Sequence, residues 1–138
     1  MAIKIDVQKT YEEVKIADKI YRMYLNDAKL REYDKVFRKF RKESVKMSER
    51  DYSKMTDKEQ KSAEKENYEI MFSVVELLLG EGSFEKVYKD TGNSLLVMAD
   101  IIMQLMEVVG KRMQAFKREK KPITQGNKAY ETYGKIYR

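Results

Sequence analysis

The chain of 138 residues is long enough for one domain with a single hydrophobic core. Charged residues make up 38% of it and apolar residues 42%, a mixture typical of amphipathic helices with solvated outer faces. It contains no cysteine and no histidine, which excludes disulfides, thiolate or imidazole metal sites, and Ser-His or Cys-His catalytic pairs. The glycine motifs that bind phosphates are also missing, so we expect a protein that is not an enzyme and uses no cofactor or metal.

The net charge of +6 belongs to the C-terminal end of the chain. Residues 111–138 contain nine Lys/Arg and two Asp/Glu, whereas residues 1–110 contain twenty Lys/Arg and twenty-one Asp/Glu. We therefore predict one mainly helical domain, residues 1–121, followed by a flexible basic tail, residues 122–138. The first residues lack the pattern of a signal peptide, and charges interrupt the longest apolar stretch. These features predict a cytoplasmic protein that does not enter a membrane.

The N-terminal residues alternate apolar and polar side chains, with the two-residue period of a half-buried strand. Ile3 to Val7 form the first run, and Val14 to Ile16 form the second after Gln8-Lys9-Thr10. The pattern predicts a short N-terminal β-hairpin. An all-helical start is the alternative.

From Asp18 the apolar residues are spaced three and four apart, which predicts helix. Asn26-Asp27 can cap a second helix within this region. The predicted apolar face comprises Ile20, Tyr21, Tyr24, Leu25, Ala28, Leu30, Tyr33, Phe37 and Phe40. The outward side carries Arg38, Lys39, Arg41, Lys42 and Lys46.

Residues 48–66 are almost wholly polar and are the predicted exposed linker. The run Thr56-Asp57-Lys58-Glu59 within them matches a capping box, from which a helix should begin. Gly80 should end that helix, as glycine commonly does just past a helix end.

Two further helices are predicted after this glycine. Ser83 is the expected N-cap of a short helix, Phe84 to Lys89. Asn93 is the expected N-cap of the last helix, which runs from about Ser94 to Lys120 before Pro122.

The last helix is the most informative part of the sequence. Its polar residues are spaced four, three, four and three apart and form one narrow stripe: Asp100, Gln104, Glu107, Lys111 and Gln114. The rest of residues 95–109 is apolar, which is far more than the stripe of about 100° that a surface helix needs. We interpret it as the central helix of a small bundle, as an interface with another copy or a client protein, or as both. The predicted partner-binding residues are Leu95, Met98, Ile102, Met103, Leu105, Met106, Val109 and Met113.

A basic patch is predicted at the end of the same helix. It comprises Lys111, Arg112, Lys117, Arg118, Lys120 and Lys121, and three tyrosines follow it. Cations neutralise phosphates and tyrosines stack on bases, so the alternative function is a small regulator that binds DNA or RNA through Arg38 to Lys46 and the C-terminal tail. Cations at a helix C-terminus are also expected because they complement the helix dipole.

The segment Leu78-Leu79-Gly80-Glu81-Gly82-Ser83-Phe84-Glu85-Lys86-Val87-Tyr88 resembles a recurring segment of the tail assembly chaperones of long-tailed (siphovirus-type) phages and prophages of Gram-positive bacteria. In that family a helix ends in a Gly-Glu-Gly turn, a short helix follows, and a long apolar helix comes next. The run Asp90 to Leu95 fits the break before the long helix, and Ile3 to Tyr24 fits the family's N-terminal strand pair. The resemblance covers residues 1–115 in layout and is specific around residues 76–109.

This resemblance implies a protein that binds the tape-measure protein, keeps it soluble and helps to recruit the tail tube protein. Such a chaperone works in the cytoplasm of the bacterial host and is absent from the mature virion. The family often makes a second, longer product by ribosomal frameshifting, and this chain would correspond to the shorter one. A structural virion component, such as a connector subunit, is a third hypothesis, and it would be present in purified particles.

Overall fold

In the computed structural model, which describes the backbone of residues 2–120 and the side chains of residues 2–114, a β-hairpin precedes four helices. The strands are β1, Tyr11–Ile16, and β2, Lys19–Tyr24; the helices are α1, Asp27–Glu49, α2, Asp57–Leu79, α3, Ser83–Asp90, and α4, Leu95–Lys120. A short 3-10 helix, Tyr52–Lys54, lies between α1 and α2. The predicted fold class, mainly α with a short N-terminal hairpin, is confirmed. The predicted tail, residues 122–138, lies outside the described residues.

The hairpin lies further along the chain than the alternation predicts. β1 and β2 pair antiparallel around Ala17 and Asp18, and Ala17 has the positive φ of 54° that two-residue hairpin turns use. The predicted first strand, Ile3 to Val7, is therefore wrong, and so is the helix predicted from Asp18. The spacing of the apolar residues in Lys19–Tyr24 fits a helix as well as a strand, and pairing with β1 decides between them.

Asn26 caps α1, as predicted. Its side chain accepts a hydrogen bond from the Lys29 N–H at 2.9 Å. The Tyr33 hydroxyl then donates to the Tyr24 carbonyl at 2.6 Å, which fastens α1 to the end of β2. Burial raises the pKa of Tyr33 to about 12, so this hydroxyl keeps its proton at any physiological pH.

The predicted linker, residues 48–66, is wrong over most of its length. Only residues 50–56 connect α1 to α2, and the remaining polar residues form the ends of these helices. The predicted capping box is confirmed, since the Glu59 N–H donates to Thr56 Oγ1 at 3.1 Å and the Thr56 N–H donates to the Glu59 carboxylate at 3.4 Å. The polar composition of this segment therefore reflects the solvent-exposed first turns of α2 and does not indicate a linker.

The centre of the bundle is α2 and not α4. α2 packs against α1, α3, α4 and β2, and its inner residues join the core. The fully buried large side chains of that core are Met23, Tyr33, Met71, Val74, Val75, Leu78, Phe84, Val87, Met98 and Ile102. α4 lies at one side of α2, so part of its circumference remains uncovered.

The corner between α2 and α3 is held by a carboxylate from α2. Gly80 ends α2 with φ of 103°, and Gly82, with φ of 81°, takes the N-cap position that the sequence assigned to Ser83. The Glu76 carboxylate accepts from the N–H groups of Phe84 at 2.8 Å and Gly82 at 2.9 Å. Partial burial raises the pKa of Glu76, but these hydrogen bonds and that of Ser83 outweigh it, so the pKa lies below its ordinary value.

The start of α4 also differs from the prediction by one residue. Ser94, and not Asn93, accepts the N–H of Val97 through its hydroxyl, at 3.2 Å. Asn93 instead reverses the chain in the left-handed conformation, with φ of 62°. This tight turn brings α4 back against α2.

Candidate protein-binding surfaces

α4 carries two apolar seams that lie roughly 100° apart around the helix axis. The first, called here the core seam, consists of Met98, Ile102, Leu105 and Val109, all buried. The second, the outer seam, consists of Leu96, Ala99, Met103, Met106, Gly110 and Met113, spaced three and four apart alternately. Its members are exposed or half-buried, and Leu96 and Met103 are 84% and 56% exposed. Such spacing places side chains along one line, as in helices that pack against another helix.

The eight residues that the sequence predicts to bind a partner divide between these seams. The structure places Met98, Ile102, Leu105 and Val109 in the core seam, where the rest of the chain already covers them. Met103, Met106 and Met113 lie together on the outer seam; Met103 is exposed, whereas Met106, Met113 and also Leu95 pack half-buried against the core. Sequence reasoning missed Leu96, Ala99 and Gly110, although the second alternation of three and four was present in the sequence.

Gly110 is unusual because nothing in the described part of the chain requires a glycine there. It lies inside α4, where glycine costs about 1 kcal/mol relative to alanine. Its φ is not positive, and apart from its chain neighbours and the backbone of its own helix, no described atom lies within 4 Å of the position that a Cβ would occupy. The missing side chain leaves space on the outer seam for a close backbone approach.

A second apolar surface lies where α2 meets α3. Tyr68 and Phe72 of α2 surround Phe84 and Tyr88 of α3, with ring centroids 5.0–5.8 Å apart in four contacting pairs. Phe84 is buried, but Tyr68 and Phe72 are 40% and 43% exposed. Exposed aromatic residues are enriched in protein interfaces. This aromatic cluster was not predicted as a site.

The predicted basic patch is only partly described. The Arg112 guanidinium donates to the Lys9 carbonyl at 2.7 Å and pairs with Glu12 at 3.4 Å, so it fastens α4 to the hairpin. Lys111 is exposed and pairs with Glu107 at 3.1 Å. The side chains of Lys117, Arg118 and Lys120, and the whole of Lys121, lie outside the described residues.

α1 presents a more regular set of cations than this patch. Its side opposite the core carries a basic stripe, Arg31, Lys35, Arg38, Lys39, Lys42 and Lys46, all exposed. The stripe is about 22 Å long, from the rise of an α-helix. Arg38 pairs with Asp34 at 2.9 Å and Lys46 lies 4.0 Å from Glu43, whereas the other four form no ion pair within residues 2–114.

Other types of site are not found in the described residues. Among residues 2–114, no group of three or more acidic side chains is arranged to hold a metal ion. None of the described helices is by itself both long and apolar enough to span a membrane. α3 and α4 together satisfy those two criteria, but they meet at a bend of 118°.

No family model, curated protein or solved structure matches the chain. Its function is therefore inferred from the outer seam, the aromatic cluster and the basic stripe, together with the resemblance of residues 78–88.

Proposed function

We propose that this chain is a phage tail assembly chaperone that binds the tape-measure protein through the outer seam of α4 and helps to recruit tail tube subunits. The outer seam carries the proposal, because it is a line of apolar residues that the described chain covers only in part: Leu96 and Met103 are exposed and the other members are half-buried. The resemblance of Leu78 to Tyr88 to the chaperone family supports the same function.

The chemistry of the seam fits a helical client. The tape-measure protein of such phages is a very long helical polypeptide, and a helix with apolar residues at spacings of three and four packs along a matching line. Met103, Met106 and Met113 have flexible side chains that adapt to different client sequences. Ala99 and Gly110 leave room for the client backbone.

The test is co-expression of the chain with the tape-measure protein encoded in the same genome, followed by affinity purification. We expect soluble co-purification with the natural chain and its loss with Met103→Lys, which places a charge in the middle of the seam. Gln104→Lys is the matched control, because it adds the same charge at the next, exposed residue, on the polar stripe of α4.

The outcomes separate the parts of this proposal. Equal binding by a folded Met103→Lys variant would place the client elsewhere, with the aromatic cluster as the next surface to test through Phe72→Lys. Absence of binding by the natural chain would remove the chaperone function. Peptide mass spectrometry of purified virions distinguishes a chaperone, which is absent from them, from a connector subunit, which is present.

The basic stripe of α1 favours a second candidate function, binding to DNA or RNA. About six cations along one helix face could each neutralise a phosphate, and the logarithm of affinity would then fall steeply with the logarithm of salt concentration. Contacts from these cations to phosphates would carry no sequence information. The basic residues of positions 111–138 would add to this attraction.

Fluorescence anisotropy with a labelled oligonucleotide at several salt concentrations tests this candidate. Lys35→Glu together with Lys42→Glu should abolish binding at low salt, because two phosphate contacts become repulsive. Lys58→Glu with Lys61→Glu, on the exposed start of α2, makes the same change in net charge away from the stripe. No binding by the natural chain at low salt would eliminate this function.

A further inference from the structure

The segment before the hairpin keeps the pattern of a strand without belonging to one. Residues 3–7, called here the arm, contain Ile3, Ile5 and Val7 at alternate positions, and these are 90%, 83% and 91% exposed. Lys4 and Asp6 alternate with them and pair with each other at 3.8 Å. As an extended strand the arm would present these three apolar side chains on one face, and in the described structure all three are exposed.

β1 offers a strand edge to which such an arm can add. In the two-residue hairpin, the backbone groups of Val14 and Ile16 point toward β2, as does the Thr10 carbonyl, which accepts the Leu25 N–H at 2.7 Å. Those of Glu13 and Lys15 then point away from β2. No hydrogen bond to them from outside the hairpin is found among the described residues. A strand edge of this kind is a template for another strand.

Pairing of the arm with this edge in its own molecule would conflict with contacts that the described structure makes. Thr10 already belongs to the ladder, so only Gln8 and Lys9 remain between it and Val7 to reverse the chain. A two-residue hairpin there would require the Thr10 backbone groups to face the arm, but its carbonyl faces Leu25. Moreover, the Lys9 carbonyl is held by Arg112 at 2.7 Å. A longer turn would have to include Lys9 and Thr10, whose carbonyls already accept from Arg112 and Leu25.

We propose that the arm pairs with the β1 edge of a second copy of the chain, so that two copies exchange arms in a symmetric dimer. An antiparallel register that places Val7 opposite Val14 and Ile5 opposite Ile16 puts the arm's apolar face on the side of the sheet that packs against the core. The same register places Asp6 opposite Lys15. The resulting three-stranded sheet is more stable than an isolated two-stranded hairpin.

This dimer is independent of the proposed client binding, because it uses the arm and β1 and leaves the outer seam of α4 free. Size-exclusion chromatography with light scattering on the full chain tests it. At about 100 μM, above the dissociation constant of a micromolar dimer, we expect twice the chain mass for the natural protein and the monomer mass for Ile5→Lys. Lys4→Gln, on the other side of the arm, should remain dimeric. Since Ile5 is 83% exposed, Ile5→Lys should leave the thermal unfolding of the monomer unchanged.

Cysteine cross-linking tests the register, and the chain contains no cysteine to interfere. Val7 and Val14 would be directly opposed without mutual hydrogen bonds, where Cα atoms lie about 4.5 Å apart and a disulfide can form. Oxidation of a mixture of Val7→Cys and Val14→Cys chains should give a covalent heterodimer. A mixture of Val7→Cys and Lys15→Cys chains should give several-fold less covalent heterodimer, because the side chain of residue 15 lies on the opposite face of the sheet.

Three results would overturn the arm exchange. One is a natural chain that remains monomeric under these conditions. Another is a dimer that persists in Ile5→Lys, above all if Met103→Lys dissociates it, because the interface would then be the outer seam. The third is equal cross-linking in the two cysteine mixtures.

Discussion

The core seam and the outer seam of α4 have the same spacing and similar side chains, but they differ in what covers them. Met98 and Ile102 are fully buried against the rest of the chain, whereas Leu96 and Met103 face solvent. Hydrophobic periodicity therefore identifies residues that require a covering surface, but it does not specify whether that surface belongs to the same chain. Three predictions test this difference and a fourth tests the corner between α2 and α3; they follow from the largest expected effect to the smallest.

Truncating the core seam should have the largest effect. Ile102→Ala should lower the free energy of unfolding by about 2–5 kcal/mol, because it removes buried methyl groups and leaves a cavity. Met103→Ala, at the adjacent residue of the outer seam, should change it by about 0.5 kcal/mol or less. Urea unfolding followed by circular dichroism measures both, and similar losses would mean that the two seams are equally buried in solution.

Glu76→Gln tests the corner that directs the chain from α2 into α3. We expect this substitution to lower the free energy of unfolding by about 0.5–2 kcal/mol at pH 7, because the carboxylate caps α3 through the Phe84 and Gly82 N–H groups. The folded pKa of Glu76 is below its ordinary value of 4.5, so this stabilisation is complete above that value and disappears as the pH falls through the folded pKa. Urea unfolding measures this: the difference in the free energy of unfolding between Glu76→Gln and the natural chain should be smaller at about pH 3 than at pH 7. Glu69→Gln, at an exposed position of α2, is the control, and a loss independent of pH would contradict the charge argument.

Gly110→Ala should act in opposite directions on the isolated chain and on the proposed complex. Alanine should stabilise α4 by about 0.5–1 kcal/mol, because it restricts the unfolded chain and meets no described atom within 4 Å. The added methyl group should weaken client binding by occupying the space on the outer seam. Thermal unfolding and a pull-down titration measure the two effects, and a destabilised variant would show that Gly110 has a structural role.

Met103→Lys should have the smallest effect on folding and the clearest effect on function. Its side chain is 56% exposed, so the free energy of unfolding should change by about 0.5 kcal/mol or less while client binding is lost. Gln104→Lys should resemble the natural chain in both measurements. If both variants lost binding equally, general electrostatic repulsion would explain the result better than the outer seam.

Local signals in the sequence predicted the helix ends well. The Asn26 cap, the Thr56 to Glu59 capping box and the stop at Gly80 all depend on groups within a few residues of each other, and all are confirmed. The hairpin was misplaced because Ile3 to Val7 has a strand pattern and Ile20, Tyr21 and Tyr24 also fit a helix. The pairing of β1 with β2, which no local spacing reveals, decides between these interpretations.

The candidate surface was predicted in part. The sequence singled out α4 as a helix with more apolar surface than one neighbour can cover, and it included Met103, Met106 and Met113. It also included Met98 and Ile102, which α2 and the rest of the core cover. The basic stripe of α1 was predicted only from Arg38 onward, since Arg31 and Lys35 lay in a segment whose outward face was undefined until α1 was placed.

The sequence by itself determined that this chain is mainly helical, where most of its helices end, and that α4 has an unusually wide apolar surface. Those properties depend on residue type and on spacings within a few turns. Only the tertiary structure decided that α2 is central, that Glu76 caps the next helix, that Arg112 fastens α4 to the hairpin, and that the arm has no strand partner among the described residues. These features depend on contacts between residues distant in the chain. The spacing of residues along a helix or strand determines which side of it each side chain occupies, but it does not determine which other helix or strand packs against that side.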